Sequence, residues 1–362
     1  MSVNAKHLVV VISGHGYGHA GMTAPLINAL YQRYPHLKIT LRTGVPLAFL
    51  QHKLDMPFDY LLDSSDFGMV NKDAFEVDLE MSLQRYQTFH HEWPDKIKQE
   101  TAQLKALGAD YLLSNIAYLP LAAATQIGLP SIAYCCLNWA DIFCHYYGHQ
   151  ASTRYIHEQM LDAYAGAGCF IRPEPAMPMA SLTTNLVGPI ATLGRNRRTT
   201  ILESLGLPAT TRLVLAAMGG IRTEMNLANW PEIENVHYLV PDQHVYPRND
   251  ISAVSIAGIS FTDVLCSVDV LFTKPGYGSF SEAACNGIRV LYVERPTWPE
   301  HSHLVEWLQC YTPCRSISRQ QLQTGAFSDE LVALLHDQTT LTPPVSGLPE
   351  ALSLLTKYLH LN

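Results

Sequence analysis

The sequence predicts an α/β protein made of two doubly wound parallel-sheet halves, and three observations predict it. Short strand-like runs alternate with helical ones along the chain. Each half opens on a nearly continuous apolar strand, the type buried on both faces of a parallel sheet. A proline-rich stretch without periodicity separates the halves. The 362 residues suit two domains at roughly 100 to 200 residues each. With 48% hydrophobic and 15% charged residues, the chain has enough apolar surface to offset its conformational entropy, which excludes a disordered polymer.

In the first half, Leu8–Ser13, Lys38–Thr43, Phe58–Leu62, Asp110–Ser114 and Ser131–Cys135 read as strands. The first helix places Met22, Leu26, Ile27, Leu30 and Tyr34 on one face, with Pro25 early, where a missing amide is tolerated. A longer helical region from about Asp78 to Leu107 is interrupted at Trp93-Pro94. Pro173, Pro175, Pro178, Pro189 and Pro208, with the basic cluster Arg195, Arg197 and Arg198, read as a linker, its hinge near Gly188–Arg198. The alternation restarts with Arg212–Ala217, Val236–Val240, Ser252–Ala257, Asp269–Thr273 and Val290–Val293. The expected division is therefore 1–187, a linker over 188–200, a second domain over 201–345, and a terminal helix in 346–362. That helix carries Leu352, Leu355 and Leu359 on one stripe and is expected to pack back on the first domain.

Lys and Arg total 24 against 32 Asp and Glu, a net charge of −8, and no basic stripe exists to track a phosphate backbone, which excludes nucleic acid as a partner. The longest apolar stretch, Tyr118 to Leu137, is broken by Pro120, Gln126, Gly128 and Pro130, so no transmembrane segment is expected. Only Lys6 precedes a five-residue apolar run, Leu8 to Ile12, and no cleavage site follows; the expected location is the cytoplasm. Of the eight cysteines, Cys135 and Cys136 are adjacent, and Cys310 and Cys314 lack a second pair at zinc-finger spacing, so buried reduced thiols are expected.

Gly14-His15-Gly16-Tyr17-Gly18-His19-Ala20-Gly21 lies between a strand and a helix, and Gly16, Gly18 and Gly21 formally satisfy dinucleotide-binding spacing. The second strand ends in Arg42-Thr43-Gly44 instead of the acidic residue that would hold a ribose, which disfavours NAD and leaves NADP only through Arg42. His15 and His19 are four residues apart, but the glycines between them oppose a helix and no third ligand is evident, so no metal is expected. A site loop remains, because imidazole titrates near neutrality and helix N-terminal amides attract oxyanions; an ordinary tight turn with incidental histidines is the bland alternative.

The second constellation runs from Asp269 through Lys274-Pro275-Gly276-Tyr277-Gly278-Ser279-Phe280-Ser281-Glu282. Ligands of open α/β sheets collect at the carboxyl ends of strands, so Gly276, Gly278 and Ser279 would offer donors to phosphates and Glu282 would grip a ribose diol. The alternative is a capping box, with Ser279 as cap and Glu282 three residues on. A polar cluster after the next strand, Glu294 to His303 and containing Glu300 and His301, favours the ligand reading. A third turn, Met218-Gly219-Gly220-Ile221-Arg222, adds amides and a guanidinium.

Together these segments resemble nucleotide-sugar glycosyltransferases of the GT-B fold, in which two Rossmann-like domains face each other across a cleft. The similarity is to the group of the peptidoglycan N-acetylglucosaminyltransferase and to the glycosyltransferase-like half of plant-type L-arabinokinases. Lys274 to Ala283 looks like the donor motif of that group, and Glu282 is similar in place to its ribose-binding glutamate. The arabinokinase likeness also covers Gly14–Ala20, Asp66-Phe67-Gly68 through Asp78, and Asn138-Trp139-Ala140-Asp141. The chain departs from the peptidoglycan enzyme in its first glycine loop, where only the terminal His stays in register, and at Glu300-His301, where that enzyme has an Asp-Gln pair. No sugar kinase domain is expected.

The resemblance implies metal-independent, inverting transfer of a sugar from a nucleoside diphosphate, uridine first, to a hydroxyl acceptor, with no cofactor. His19, or His15, would be the base. Gly219, Gly220, Arg222, Lys274, Gly276, Gly278 and Ser279 would hold the diphosphate, Glu282 the ribose, and Glu300 and His301 the donor sugar. Gly16, Gly18, Asn138 and Asp141 would lie on the acceptor side. Nucleotide-sugar epimerisation or hydrolysis, and binding without catalysis, stay open.

Overall fold

The computed structural model describes residues 6–63, 65–73, 75–219, 225–244, 246–255, 258–338 and 341–361. It divides into two compact units, one running to Ile190 and including the segment from Ser346 onward, the other spanning Ala191–Val345.

The first unit holds a seven-stranded parallel sheet: β1 (His7–Ile12), β2 (Lys38–Thr43), β3 (Asp59–Leu62), β4 (Tyr111–Asn115), β5 (Ser131–Tyr134), β6 (Cys169–Pro173) and β7 (Asn185–Val187), ordered 3-2-1-4-5-6-7. Every residue of the central β1 is buried, as its unbroken apolar run requires when helices cover both sheet faces. The long helical region is two helices, Leu79–His91 and Trp93–Leu107, and Pro94 sits in the first turn of the second, where its missing amide is not needed. The stretch read as linker contains the end of β6 and all of β7. A three-residue edge strand has one partner only, so it shows no apolar run for the sequence to reveal.

The second unit holds a six-stranded parallel sheet: β8 (Arg212–Ala217), β9 (Val236–Val240), β10 (Ile251–Ala253), β11 (Val270–Thr273), β12 (Arg289–Val293) and β13 (Cys314–Ile317), ordered 10-9-8-11-12-13. The strand expected over Ser252–Ala257 is shorter, and residues 256 and 257 lie outside the described residues. β13, which the periodicity did not reveal, adds an edge strand beside β12. Leu213, Leu215, Leu271, Phe280, Val290 and Leu304 share one core, which the helix Tyr277–Cys285 joins through Phe280.

Both sheets are doubly wound. Strand order reverses between β1 and β4 in the first and between β8 and β11 in the second, and the connections diverge at those points. Such switch points open a crevice at the carboxyl edge of the sheet, so the loops after these four strands are where each unit can hold a ligand. The helix Gly347–Tyr358 packs on the first unit, against the helix Gly18–Arg33 and strands β5 to β7, with Ala351 and Leu355 buried. No helix among the described residues is long and apolar enough to cross a membrane.

Candidate functional site

In the first unit the glycine loop follows β1 at the switch point. Gly16 takes φ +85°, a left-handed conformation that favours glycine, and nothing stands within 4 Å of where a Cβ on Gly16, Gly18 or Gly21 would lie. The loop backbone is thus approachable. His19 is the second residue of the helix Gly18–Arg33 and is buried.

A hydrogen-bond chain settles which nitrogen of His19 carries the proton. Thr23 Oγ1 donates to the carbonyl of His19 at 2.7 Å, so it must accept from Asn115 Nδ2, also at 2.7 Å. That orients the Asn115 amide with Oδ1 toward His19 Nδ1, 2.9 Å away, as acceptor of the Nδ1 proton. Nε2 is left with the lone pair. His15 is arranged otherwise: Asn71 Nδ2 lies 2.9 Å from its Nε2, which engages that lone pair.

Three segments far apart in sequence meet here. Asp66 is buried and accepts from Ser13 Oγ at 2.9 Å and from the indole Nε1 of Trp139 at 2.6 Å. The Trp139 ring meets both imidazoles edge-on, with centroids 5.2 Å from His15 and 6.1 Å from His19. Gly68, at φ +59°, lies so close that a Cβ would stand 2.7 Å from the Trp139 ring and 2.9 Å from His15 Cδ2. Burial, with the neighbouring Cys135, holds the Asp66 carboxyl above its ordinary value, outweighing its two donors and the charge on His19. Cys135 Sγ lies 3.8 Å from His19 Nδ1. Burial disfavours its thiolate, but Cys136 and the imidazole outweigh burial and lower its pKa.

Asn115, Asp66 and Cys135 border the candidate site, and motif reasoning assigned none of them a role there, although Asp66 lies in a segment of the arabinokinase likeness. Asn115 ends a strand, Asp66 sits in an aperiodic loop, and only contact in the fold reveals either. Two expectations are corrected or redirected. Arg42 cannot serve a 2′-phosphate: its side chain, 2% exposed, bonds Glu100 at 2.6 Å, Asp63 at 2.6 Å and Gln103 at 2.8 Å. Through Asp63 and Ser65 it anchors the loop that presents Asp66. Asn138 is fully buried and caps the helix Trp139–Tyr147, accepting from Asp141 N and donating to Asp141 Oδ2, both at 2.8 Å, so this pair is committed to starting the helix that carries Trp139.

In the second unit, three adjacent strands bring their polar ends together. Gly219 follows β8 at φ +77°, and a Cβ there would meet Lys274 Cε, at the end of β11, at 3.5 Å. Gly220 and Arg222 lie outside the described residues. The helix after β11 is Tyr277–Cys285; its N-cap is Gly276, with no side-chain cap. This overturns the capping-box alternative: Ser279 and Glu282 are both inside the helix, one turn apart. The first-turn amides carry the helix's partial positive charge, and the space beside Gly276 and Gly278 is open for at least 4 Å. An anion can reach the backbone there.

β12 runs beside β11, and its trailing cluster includes a second helix start, His301–Gln309. Glu300 is buried at its N-cap, with Oε2 accepting from Trp298 Nε1 at 3.2 Å, and Arg295 lies 4.4 Å over the Trp298 ring. His301 Nδ1 is buried without a hydrogen-bond partner, and burial lowers its pKa.

No family model matches the chain. The L-arabinokinase of Arabidopsis thaliana is 24% identical over 345 residues, which are 91% of this chain but 32% of that protein, so the chain spans about a third of the curated relative's length. Among solved structures, the calicheamicin glycosyltransferase CalG4 superposes with a TM-score of 0.65 at 15% identity, covering 98% of this chain and 99% of that one. The spinosyn rhamnosyltransferase SpnG gives 0.62 at 15%, covering 98% and 96%. A putative UDP-N-acetylglucosamine 2-epimerase from Listeria monocytogenes gives 0.60 at 14%, covering 99% and 98%. The chain shares their fold, two Rossmann-like α/β domains of the GT-B type.

Proposed function

We propose that this protein transfers a sugar from a nucleoside diphosphate to a hydroxyl acceptor. The observation that supports the proposal is the Thr23–Asn115–His19 chain, which places the proton of the His19 ring on Nδ1 and the lone pair on Nε2 at the switch point of the first unit. In this reading His19 Nε2 takes the acceptor proton as the hydroxyl oxygen attacks the anomeric carbon, and the nucleoside diphosphate leaves from the opposite face with inversion. The uncapped start of the helix Tyr277–Cys285, with Lys274, would stabilise the departing diphosphate without a metal ion. Glu282 would hold the ribose hydroxyls, and His301 Nδ1 would find its missing partner on the donor sugar. The nucleotide-sugar enzymes of like fold support the reading, and uridine is the nucleobase to try first.

The test is a thermal-shift screen of nucleotides and nucleotide sugars followed by product detection. A nucleotide at 100 times its Kd should stabilise the protein by about 2.7 kcal/mol. His19→Gln should retain that stabilisation and lose roughly 100-fold in kcat. Wild-type turnover by His19→Gln would refute the proposed base. The 2-epimerase is almost as similar in fold as the transferases and keeps a second reading in play; an epimer formed without acceptor would select it.

A further inference from the structure

A polar cavity of about 570 Å³ lies at the amino edge of the second sheet, the edge opposite the glycine turns. Asn196 and Arg198 line it from the segment that enters the unit, Thr210 and Arg212 from the start of β8, Asp269 from just before β11 and Ile288 from just before β12. Asp269 and Lys274 stand at opposite ends of β11, roughly 16 Å apart at about 3.3 Å per residue, so the cavity is separate from the helix start at Gly276. We propose that this cavity binds a phosphate monoester, with the phosphate held by the Arg212 guanidinium. The proposal stands apart from sugar transfer and does not depend on it.

The charges of the lining do not cancel. Two guanidiniums, Arg198 and Arg212, face one carboxylate, Asp269, on a chain whose net charge is −8. Asp269 is matched without Arg212: its Oδ2 accepts from Arg198 Nη1 and from the backbone N–H of Leu213, each at 2.8 Å. Arg198 is committed to the fold, since it also donates to the carbonyls of Thr211 and Ser267. Arg212 gives Asp269 Oδ1 one N–H at 2.9 Å, and its side chain is 50% exposed. Its Nε and Nη2 have no hydrogen-bond partner among the described residues. The cavity therefore holds one cation more than its carboxylate needs.

Nε and Nη2 of one guanidinium form a planar fork that grips two oxygens of an oxyanion. Two further donors come from other walls. Thr210 Oγ1 has no partner among the described residues, and Asn196 uses only its Oδ1, which accepts from Arg198 N at 3.0 Å. Donors on three sides suit the tetrahedral oxygens of a phosphate better than the planar pair of a carboxylate. The volume is that of a small-molecule site and exceeds what a bare phosphate fills. Ala209, Val268 and Ile288 supply an apolar wall for the rest of the ligand, hence a monoester. The wall bearing Asn196 and Arg198 is fixed in advance: Arg195 N donates to Asp263 Oδ1 at 2.7 Å and Arg197 N to Ser267 Oγ at 2.6 Å. Such preorganisation lowers the cost of binding.

The experiment is an NMR titration of the full chain at constant ionic strength. It follows the Arg212 Nε–H signal, assigned from Arg212→Gln, and the Asn196 side-chain amide, assigned from Asn196→Ala. Inorganic phosphate, phenyl phosphate and acetate are the probes. Both signals should move saturably with phosphate, phenyl phosphate should bind at least as tightly, and acetate should bind at least about tenfold more weakly. Arg212→Gln leaves Asp269 to Arg198 and Leu213 N, and should lower phenyl phosphate affinity, read at Asn196, by at least about tenfold. Gly278→Ala, at the other edge of the sheet, should leave the response intact. If Arg212→Gln is insoluble, Thr210→Val on the exposed turn should weaken binding by about threefold. Signals that never saturate, equal binding of acetate, unchanged affinity in Arg212→Gln or its substitute, or loss of the response in Gly278→Ala would each overturn the proposal.

Discussion

Gly68→Ala tests whether the fold is built around the Trp139 floor of the site. Two costs add. At φ +59° an alanine sits in the left-handed region, at roughly 1–2 kcal/mol. Its Cβ would also stand 2.7 Å from two atoms of a fully buried tryptophan ring and 2.9 Å from His15, and such overpacking costs about 1–3 kcal/mol. A total near ~3 kcal/mol lowers the melting temperature of a unit this size by roughly 6–12 °C. Gly128→Ala is the control, because Gly128 has nearly the same φ, +65°, with nothing within 4 Å, so it carries the backbone cost alone. Differential scanning calorimetry of the two variants reads the steric part as their difference. Equal melting temperatures would refute the argument, since they would mean that Trp139 moves aside at no cost.

Gly278→Ala should leave stability unchanged or raise it by up to about 0.5 kcal/mol, since alanine favours a helix, yet weaken nucleotide binding roughly tenfold by filling the space beside the helix start; calorimetric titration measures both effects in one preparation. Glu100→Ala removes the more buried of the two carboxylates paired with Arg42, leaving Asp63, and should cost about 3 kcal/mol in urea unfolding at constant m-value. His90, enclosed by Gln159 and Tyr118, has its pKa lowered by burial from 6.5 to about 4. The folded state therefore binds this proton less readily than the unfolded chain. The stability His90 contributes is fully present above pH 6.5 and is lost as pH falls from 6.5 to 4, by roughly 3 kcal/mol at most. His90→Gln should flatten that portion of the stability-versus-pH curve.

The central strands were legible in the sequence because burial on both faces leaves unbroken apolar runs, as in Leu8 to Ile12. The edge strands β7 and β13 were not, since a short strand with one partner needs no such run, and neither was β6, which has two partners but whose apolar run Cys169 to Ile171 gives way at once to Arg172 and Pro173. At the site, glycines and histidines announced the loop, but the partner of His19 did not: Asn115 lies 96 residues further on, and its role depends on the Thr23 hydroxyl that orients its amide. Arg42 misled for a related reason. An arginine at a strand end suits a phosphate equally well or a buried carboxylate pair, and only the packing of the helix Trp93–Leu107 decides. Ser279 and Glu282 had capping-box spacing, but the helix begins two residues before Ser279, because Gly276 already takes the extended conformation of a cap.

The helix Gly347–Tyr358 lies on β5 to β7 although 155 residues of another unit come between it and Ile190. Topologically, the second unit is an insertion in the first, tethered at both of its ends. A ribosome would have to complete that insertion before the first unit could acquire its final layer. A truncation after Ile190 would expose bare sheet and helix where Ala351 and Leu355 belong, so the two halves are better separated by excising residues 191–345 than by cutting the chain in two.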